Sequence, residues 1–300
     1  MKPARAVPVL MYHHVSPAPG LVTVSPAIFR AQMAWLAAHG YRSAGTQELT
    51  AFLAGAPLPD KSVVITFDDG YLDNYLYAHP VLQEFGFRAV LFLITGWLGE
   101  GAPRLAVKVG AGDTPQSLES AFGKSPFGPA TAAAPAIYPH RICMEKVAAG
   151  QADEVMLRWD EVAAMQAAGT FEFHSHTHSH ARWDRLISDP RERQARLSDD
   201  LAASRAALQA HLGEVSGHLC WPQGYFDADY QAVAQAAGFS HLYTTEKGTC
   251  TAATLADRIP RIVVKNRADG WFGRRLWLYR HPALSRAYLG LRSDERVAAT

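Results

Sequence analysis

Cysteine is scarce: Cys143, Cys220 and Cys250 are the only three in 300 residues, odd in number and without a CxxC spacing. That excludes a disulfide-stapled scaffold, offers no thiolate metal site, and fits a reducing compartment. The three read most simply as buried small hydrophobes. An excess of one charge sign is also missing. Lysine and arginine number 29 against 28 aspartate and glutamate, a formal charge of +1, so nothing in the balance pulls the chain toward nucleic acid. Long apolar runs are absent too. The start, Met1-Lys2-Pro3-Ala4-Arg5, carries the charge of an export signal, but the apolar stretch after it ends at Tyr12, where two histidines follow. It is too short for a leader or a membrane span, and the expectation is a soluble, cytoplasmic protein. No segment repeats.

What is present is 48% hydrophobic content, enough for a large core, and one stretch that organises the rest: Ser62-Val63-Val64-Ile65-Thr66-Phe67-Asp68-Asp69-Gly70. The apolar, β-branched run suits a strand buried on both faces, and it stops abruptly at two adjacent carboxylates and a glycine. Two neighbouring carboxylates repel. Either both are simply solvated in a turn, or a cation or a shared proton resolves the repulsion.

Around this stretch, strands and helices alternate. Val7-Pro8-Val9-Leu10-Met11-Tyr12 reads as a first strand ending at His13 and His14; Ser25 caps a helix with Pro26 in its first turn, and Gly40 ends it. A short helix fits 46–53. Another fits 73–85, bent or divided by Pro80, before a buried strand over 88–94. From about 99 to 156 the pattern lapses into Ala, Gly, Pro and Ser, an insertion that is either a substrate-covering lid or a passive excursion. A helix over 160–168 follows, then the short strand Phe171-Glu172-Phe173, and a long amphipathic helix carrying Leu197, Leu201, Leu208 and Leu212 that stops at Gly213. His218-Leu219-Cys220-Trp221 is a strand closed by Pro222-Gln223-Gly224; Asp227 caps a helix, and strands fit 241–245 and 259–265. Repeated βα units argue for a parallel sheet, open or closed into a barrel, whose active site lies past the C-terminal ends of its strands. His13, Asp68-Asp69, the histidines from 176 and Pro222-Gln223-Gly224 all sit at such ends.

The tract His174-Ser175-His176-Thr177-His178-Ser179-His180 holds four imidazoles in seven residues, too dense for core packing. It is a His-rich surface loop, or an extended segment showing all four on one face, or a helical turn in which His176 and His180 face one cation together. Imidazole is the commonest neutral metal ligand. Two histidines and one carboxylate from Asp68-Asp69 would make a three-ligand site with an open position for water.

Thr66-Phe67-Asp68-Asp69-Gly70, then Ser175-His176-Thr177-His178-Ser179-His180, then Trp221-Pro222-Gln223-Gly224 resemble, in that order, the first three motifs of the polysaccharide deacetylases, the chitooligosaccharide-deacetylase homology family. The resemblance runs from about Val7 to Lys265 and lapses in the insertion. It implies an α/β fold, a distorted and incomplete (β/α) barrel in a single domain over 1–300, with an aromatic and basic extension over 266–300. It also implies a divalent metal, zinc with cobalt, nickel or iron as alternatives, and an acetylated glycan as substrate. Carried over by position, Asp69, His176 and His180 would hold the metal and Asp68 would be the base. The backbone N–H of Gln223, in a turn with Trp221 and Pro222, would hold the oxyanion or substrate.

Two departures stand out. The arginine that usually opens the third motif is replaced by Cys220, and Arg261, on the last strand, is either its substitute or a plain surface arginine. The usual late leucine-histidine motif is missing, whereas Leu10-Met11-Tyr12-His13-His14-Val15 resembles the circularly permuted branch that deacetylates poly-N-acetylglucosamine. That resemblance makes His13 the general acid, a core histidine being the alternative. His174 and His178 receive no role. The aromatics and arginines of 270–280 lie on an anionic membrane face, placing the protein at the inner membrane, or stack on sugars, or pack on the barrel with the arginines in water. The overall reading is a metal-dependent glycan N-deacetylase. The alternatives are a deformylase or deacetylase of a small or lipid-linked sugar, and a catalytically inactive carbohydrate-binding module.

Overall fold

The structure, a computed structural model, describes residues 2–104, 135–267 and 269–297. Much of the expected insertion and the last three residues of the extension lie outside the described residues. In chain order the strands are β1 (Val9–Tyr12), β2 (His14–Val15), β3 (Thr23–Val24), β4 (Arg42–Ser43), β5 (Ser62–Asp69), β6 (Ala89–Leu93), β7 (Phe171–Ser175), β8 (His218–Cys220), β9 (His241–Lys247) and β10 (Ile259–Val263). Seven of them neighbour one another in the order β1-β10-β9-β8-β7-β6-β5, and β5 pairs back onto β1, closing a parallel ring. β4 adds to β5 at Ser62 and Val63, just below β1, and β2 pairs β3 separately. The ring is one strand short of the eight of an even (β/α) barrel. It is also uneven. β7 and β8 share a single register pair, Ser175 with Leu219, and the β9–β10 register shifts between Ile259 and Arg261. The distorted (β/α) barrel expected from the resemblance is the fold observed.

All eight residues of β5 are buried, because both faces are covered. Successive side chains alternate: Val63, Ile65 and Phe67 face outward into a large cluster with the helices, whereas Val64 joins Val90, Phe92, Cys220, Tyr243 and Ile259 inside the ring. Each fully buried side chain of this kind is worth about 1.5–3 kcal/mol relative to exposure. The same alternation turns Thr66 and Asp68 inward.

The outer layer comprises α1 (Pro26–Ala38), α2 (Thr46–Leu53), α3 (His79–Phe85), α4 (His140–Ala148), α5 (Trp159–Ala167), α6 (Trp183–Leu186), α7 (Pro190–Leu212), α8 (Ala228–Ala236), α9 (Asp269–Tyr279) and α10 (Pro282–Val297). Ser25 caps α1 by accepting from Ile28 N, and Asp227 caps α8 by accepting from Tyr230 N, as their positions predict. The helix expected over 73–85 is divided: a π-turn over Asn74–Ala78 runs into α3, with Pro80 in the first turn of α3. α2 is the exception to the outer layer. Its Leu49 and Phe52 belong to the inner cluster and close the N-terminal mouth of the ring.

Part of the expected insertion is ordered helix. α4 packs Cys143 against Tyr71, Val155 and Met156, and the segment after it hydrogen bonds along the chain that follows Gly70, with Leu72 N donating to Val155 O and Leu157 N to Gly70 O. On α9, Phe272, Leu276 and Tyr279 are buried in the outer core, Trp271 packs partly against it, and Trp277 is 54% exposed. Among the described residues no helix is long and apolar enough to cross a membrane.

Candidate active site

β5 carries Asp68 and Asp69 to the open mouth of the ring, where both are buried. Asp69 has φ 76°, and this left-handed backbone lets two successive residues serve one centre despite the alternation of a strand. Its Oδ1 lies 3.3 Å from His176 Nε2 and 3.7 Å from His180 Nε2. The three ligand atoms all lie within 4.8 Å of one another.

The chemistry of this set fits a cation. His176 Nδ1 donates to the Cys220 carbonyl at 2.7 Å, so in the neutral ring Nε2 carries a lone pair, and that lone pair faces a carboxylate oxygen. Acceptor opposite acceptor needs positive charge between them, a proton or a metal ion. The charges on the groups express the same need. Burial would raise the pKa of Asp69, but His176, His13 and His180 together hold it far below the usual carboxylate range. Burial would lower His176, but Cys220 and Asp69 outweigh it and push the imidazole well up. His180 is pushed down to about 4 by burial, which keeps its ring neutral and able to ligate.

The histidine tract is neither a helical turn nor a straight strand beyond Ser175. It is a loop in which Thr177 (φ 67°) and His180 (φ 59°) are left-handed, and this curl brings the two rings to 5.0 Å. Left-handed non-glycine residues cost about 1–3 kcal/mol each. Among the described residues there are five, and four of them, Asp69, Thr177, His180 and Gln223, belong to this site. The loop is held against that strain from two sides. His176 N donates to Leu93 O (2.8 Å), Thr95 N to Thr177 O (3.2 Å) and Gly96 N to His178 O (2.9 Å), while Ser179 N donates to Asp200 Oδ1 on α7 (2.9 Å). His178, left without a role by its sequence position, pairs through Nδ1 with Thr95 Oγ1 at 3.0 Å. A Cβ on Gly96 would lie 2.6 Å from the His178 carbonyl, so only glycine lets the strands come this close. Sequence reasoning misses Thr95, Gly96 and Asp200. Only the location of the first two, past the end of a predicted strand, was available as a signal.

Asp68 points to the ring axis and meets Arg261, which reaches across from β10. Both guanidinium nitrogens donate to the two carboxylate oxygens at 2.7 Å; Nε donates to Thr244 O, Nη1 to Thr66 Oγ1 and Nη2 to Cys220 Sγ at 3.0 Å. Arg261 is fully buried. Burial would raise the pKa of Asp68, but Arg261 outweighs it and holds the group ionised below the usual range. Cys220 is thus more than a small hydrophobe: it stands where the family motif has arginine, and its sulfur accepts from the arginine of another strand. His13, at the end of β1, brings Nε2 to 3.7 Å from Asp68 Oδ2 with 21% of its side chain exposed. Burial lowers its pKa, with Asp68 and Asp69 opposing.

The Pro222–Gly224 turn follows β8 directly, with Gln223 at φ 54° and its Oε1 accepting from Arg182 Nη1 at 3.3 Å. Pro222 is buried in this turn. Trp221 is 1% exposed and packs outside the ring with Leu197, Leu201 and Tyr230, so its ring supports the turn and presents no face to a ligand.

Residues 55–242 match the sequence model of a family described as polysaccharide deacetylase. Over 254 residues the chain is 26% identical to the poly-beta-1,6-N-acetyl-D-glucosamine N-deacetylase of Escherichia coli (strain K12), an alignment that takes in 82% of this chain and 34% of that protein. The chain therefore spans about a third of the length of that relative. Among solved structures, IcaB from Ammonifex degensii superposes with a TM-score of 0.66 at 22% identity, covering 93% of this chain and 99% of that one. The Streptococcus pyogenes deacetylase PplD, solved in complex with acetate, superposes with a TM-score of 0.65 at 19% identity, covering 94% and 100%. These superpositions identify the fold.

Proposed function

Since the chain belongs to the polysaccharide deacetylase family, we propose that it is a metal-dependent glycan N-deacetylase, hydrolysing the acetamide of an N-acetylated saccharide to acetate and a free amine. One observation carries the reading: Asp69, His176 and His180 converge on one point while Asp68, beside them, is held by both arms of Arg261. A binding module has no use for a second carboxylate fixed so tightly.

Asp69, His176 and His180 would hold a divalent cation, and two imidazoles with one carboxylate suit zinc, with cobalt, nickel or iron as substitutes. Such a cation supplies Lewis acidity toward water and the acetamide carbonyl. The chain's own groups do the rest. Arg261 keeps Asp68 ionised and fixes its orientation, so Asp68 accepts the proton of the attacking water. The strong pairing also lowers the proton affinity of Asp68, which favours passing the proton on. His13 Nε2, 3.7 Å away with its pKa lowered by burial, is the next acceptor and the donor to the departing amine nitrogen. One proton thus leaves water and reaches the amine as the C–N bond breaks. The backbone N–H of Gln223 is assigned to the developing oxyanion.

Acetate release from short N-acetylglucosamine oligomers by the zinc-loaded protein tests this. Release by wild type that vanishes in Asp68→Asn supports the reading; oligomer binding without acetate release in both proteins would point instead to a carbohydrate-binding module.

A further inference from the structure

Beside the carboxylate–histidine centre runs a second polar chain for which the proposed reaction has no task. His14 Nδ1 lies 2.5 Å from Asp73 Oδ2, and the other oxygen, Oδ1, accepts from Val15 N at 3.2 Å. A carboxylate only accepts, so His14 Nδ1 carries the hydrogen and, in the neutral ring, Nε2 carries the lone pair. His140 Nδ1, 3.2 Å from that lone pair, is then the donor. With both rings neutral, His140 carries its hydrogen on Nδ1 and leaves Nε2 an acceptor.

The chain is braced on every side. Tyr71 stacks on His14 with ring centroids 3.7 Å apart, and its hydroxyl lies 3.3 Å from His140 Nδ1 and 3.5 Å from Met144 Sδ. Asn74 Nδ2 donates to Asp73 Oδ1 and to the His13 carbonyl, tying this chain to the histidine assigned as acid. His14 and Asp73 are buried, whereas His140, supplied by α4 of the insertion, is half-buried. The assembly borders the centre. Tyr71 follows Asp69 by two residues, and the Asn74 amide ties the assembly to the backbone of His13.

A fixed acceptor on a half-open wall next to an acyl-transfer site has an obvious complement in a sugar, which is dense in hydroxyl donors. We propose that His140 Nε2 accepts a hydrogen bond from a glycan hydroxyl near the reacting residue, with Asp73, His14 and Tyr71 as positioning residues that set its ring and tautomer. α4 is then a wall of the substrate cleft, and it selects for saccharide over other acylated compounds. This rests on the reading of the site as a glycan deacetylase.

The test compares wild type, His140→Ala and His140→Gln, each zinc-loaded, on a short N-acetylglucosamine oligomer and on para-nitrophenyl acetate, which has the acyl group and no sugar. Loss of one hydrogen bond raises KM for the oligomer about tenfold in His140→Ala, lowers the oligomer-to-ester ratio of kcat/KM by the same factor, and leaves zinc content at the wild-type level. His140→Gln, whose amide oxygen accepts, recovers most of the ratio. An unaltered ratio overturns the proposal, as does an equal fall on both substrates accompanied by zinc loss, which would make His140 a prop of the metal centre. Wild type that cleaves the ester and releases no acetate from the oligomer overturns the glycan reading itself.

Discussion

The ring holds two clusters of histidine and carboxylate, one at each end, built from the same residue types and in part from the same strand. At the closed end Glu172 accepts from Thr46 N (2.9 Å), Thr46 Oγ1 (2.7 Å) and Arg88 Nη1 (3.1 Å), His218 pairs with the Tyr243 hydroxyl (3.2 Å) and Thr50 Oγ1 (3.4 Å), and His174 pairs with Ser216 Oγ (2.6 Å). There, the carboxylate is met by three donors and each imidazole has a hydroxyl partner, with His174 Nε2 left 3.8 Å from Glu172 Oε2. At the open end Asp69 faces two imidazole nitrogens, one of them deprived of its proton by a carbonyl on the far side of the ring. His174 and His176 are two residues apart on one strand path and comparably buried, at 8% and 2%. What separates the two is the set around the carboxylate: Glu172 is supplied by Thr46 and Arg88, whereas Asp69, His176 and His180 bring three side-chain atoms within 4.8 Å of one another, and neither residue type nor local density reports that.

Five substitutions would break or sharpen this contrast. The largest effect is expected from Asp68→Asn, which should lower kcat/KM by about 10²–10⁴ while the cation stays bound. Its counterpart at the closed end, Glu172→Gln, should instead lower stability by about 1–3 kcal/mol, read by urea unfolding, with far less effect on rate. Next comes Arg261→Met. It strands Asp68 as a buried, unpaired charge and should cost about 3–5 kcal/mol in the same unfolding assay; a smaller loss than for Glu172→Gln would contradict the pairing described.

A third effect depends on pH. Burial, with His174 and His241 nearby, holds the His218 pKa down to about 2. The unfolded chain takes up that proton below about pH 6.5 and the folded chain does not, so stability is full above that value and is lost progressively as pH falls toward 2. His218→Gln should flatten the decline in urea midpoint between neutral and mildly acid pH; an identical slope would mean that His218 is not the group held neutral. The smallest effect is expected from Gly96→Ala. Its Cβ would lie 2.6 Å from the His178 backbone carbonyl, so the histidine loop must shift, weakening zinc binding about tenfold with little change in unfolding.

Much of this was legible in the sequence. The strand ending at Asp68-Asp69, the positions of His13, His176 and Gln223 past strand ends, and the helix stop at Gly213 all follow from local pattern, which fixes faces and ends. Position alone marks Arg261 as a stand-in for the arginine missing at Cys220, and its contact with Asp68 depends on β10 closing the ring opposite β5. Long-range contacts of that kind leave no periodic trace. Spacing alone does not distinguish four residues of helix from the left-handed loop that joins His176 to His180, so the helical turn stands among several choices at the sequence level. α4 was hidden by the weak apolar pattern of 140–148, and with it the contact between His140 and His14.

The central claim is that Asp69, His176 and His180 hold a cation while the adjacent histidines are structural. Zinc content after chelation and reloading, measured for wild type, His176→Ala and His174→Ala, tests it directly. The account predicts about one ion per chain in wild type and in His174→Ala, as a single three-ligand site requires, and none retained in a folded His176→Ala. No zinc in wild type, or equal loss in both variants, would contradict it.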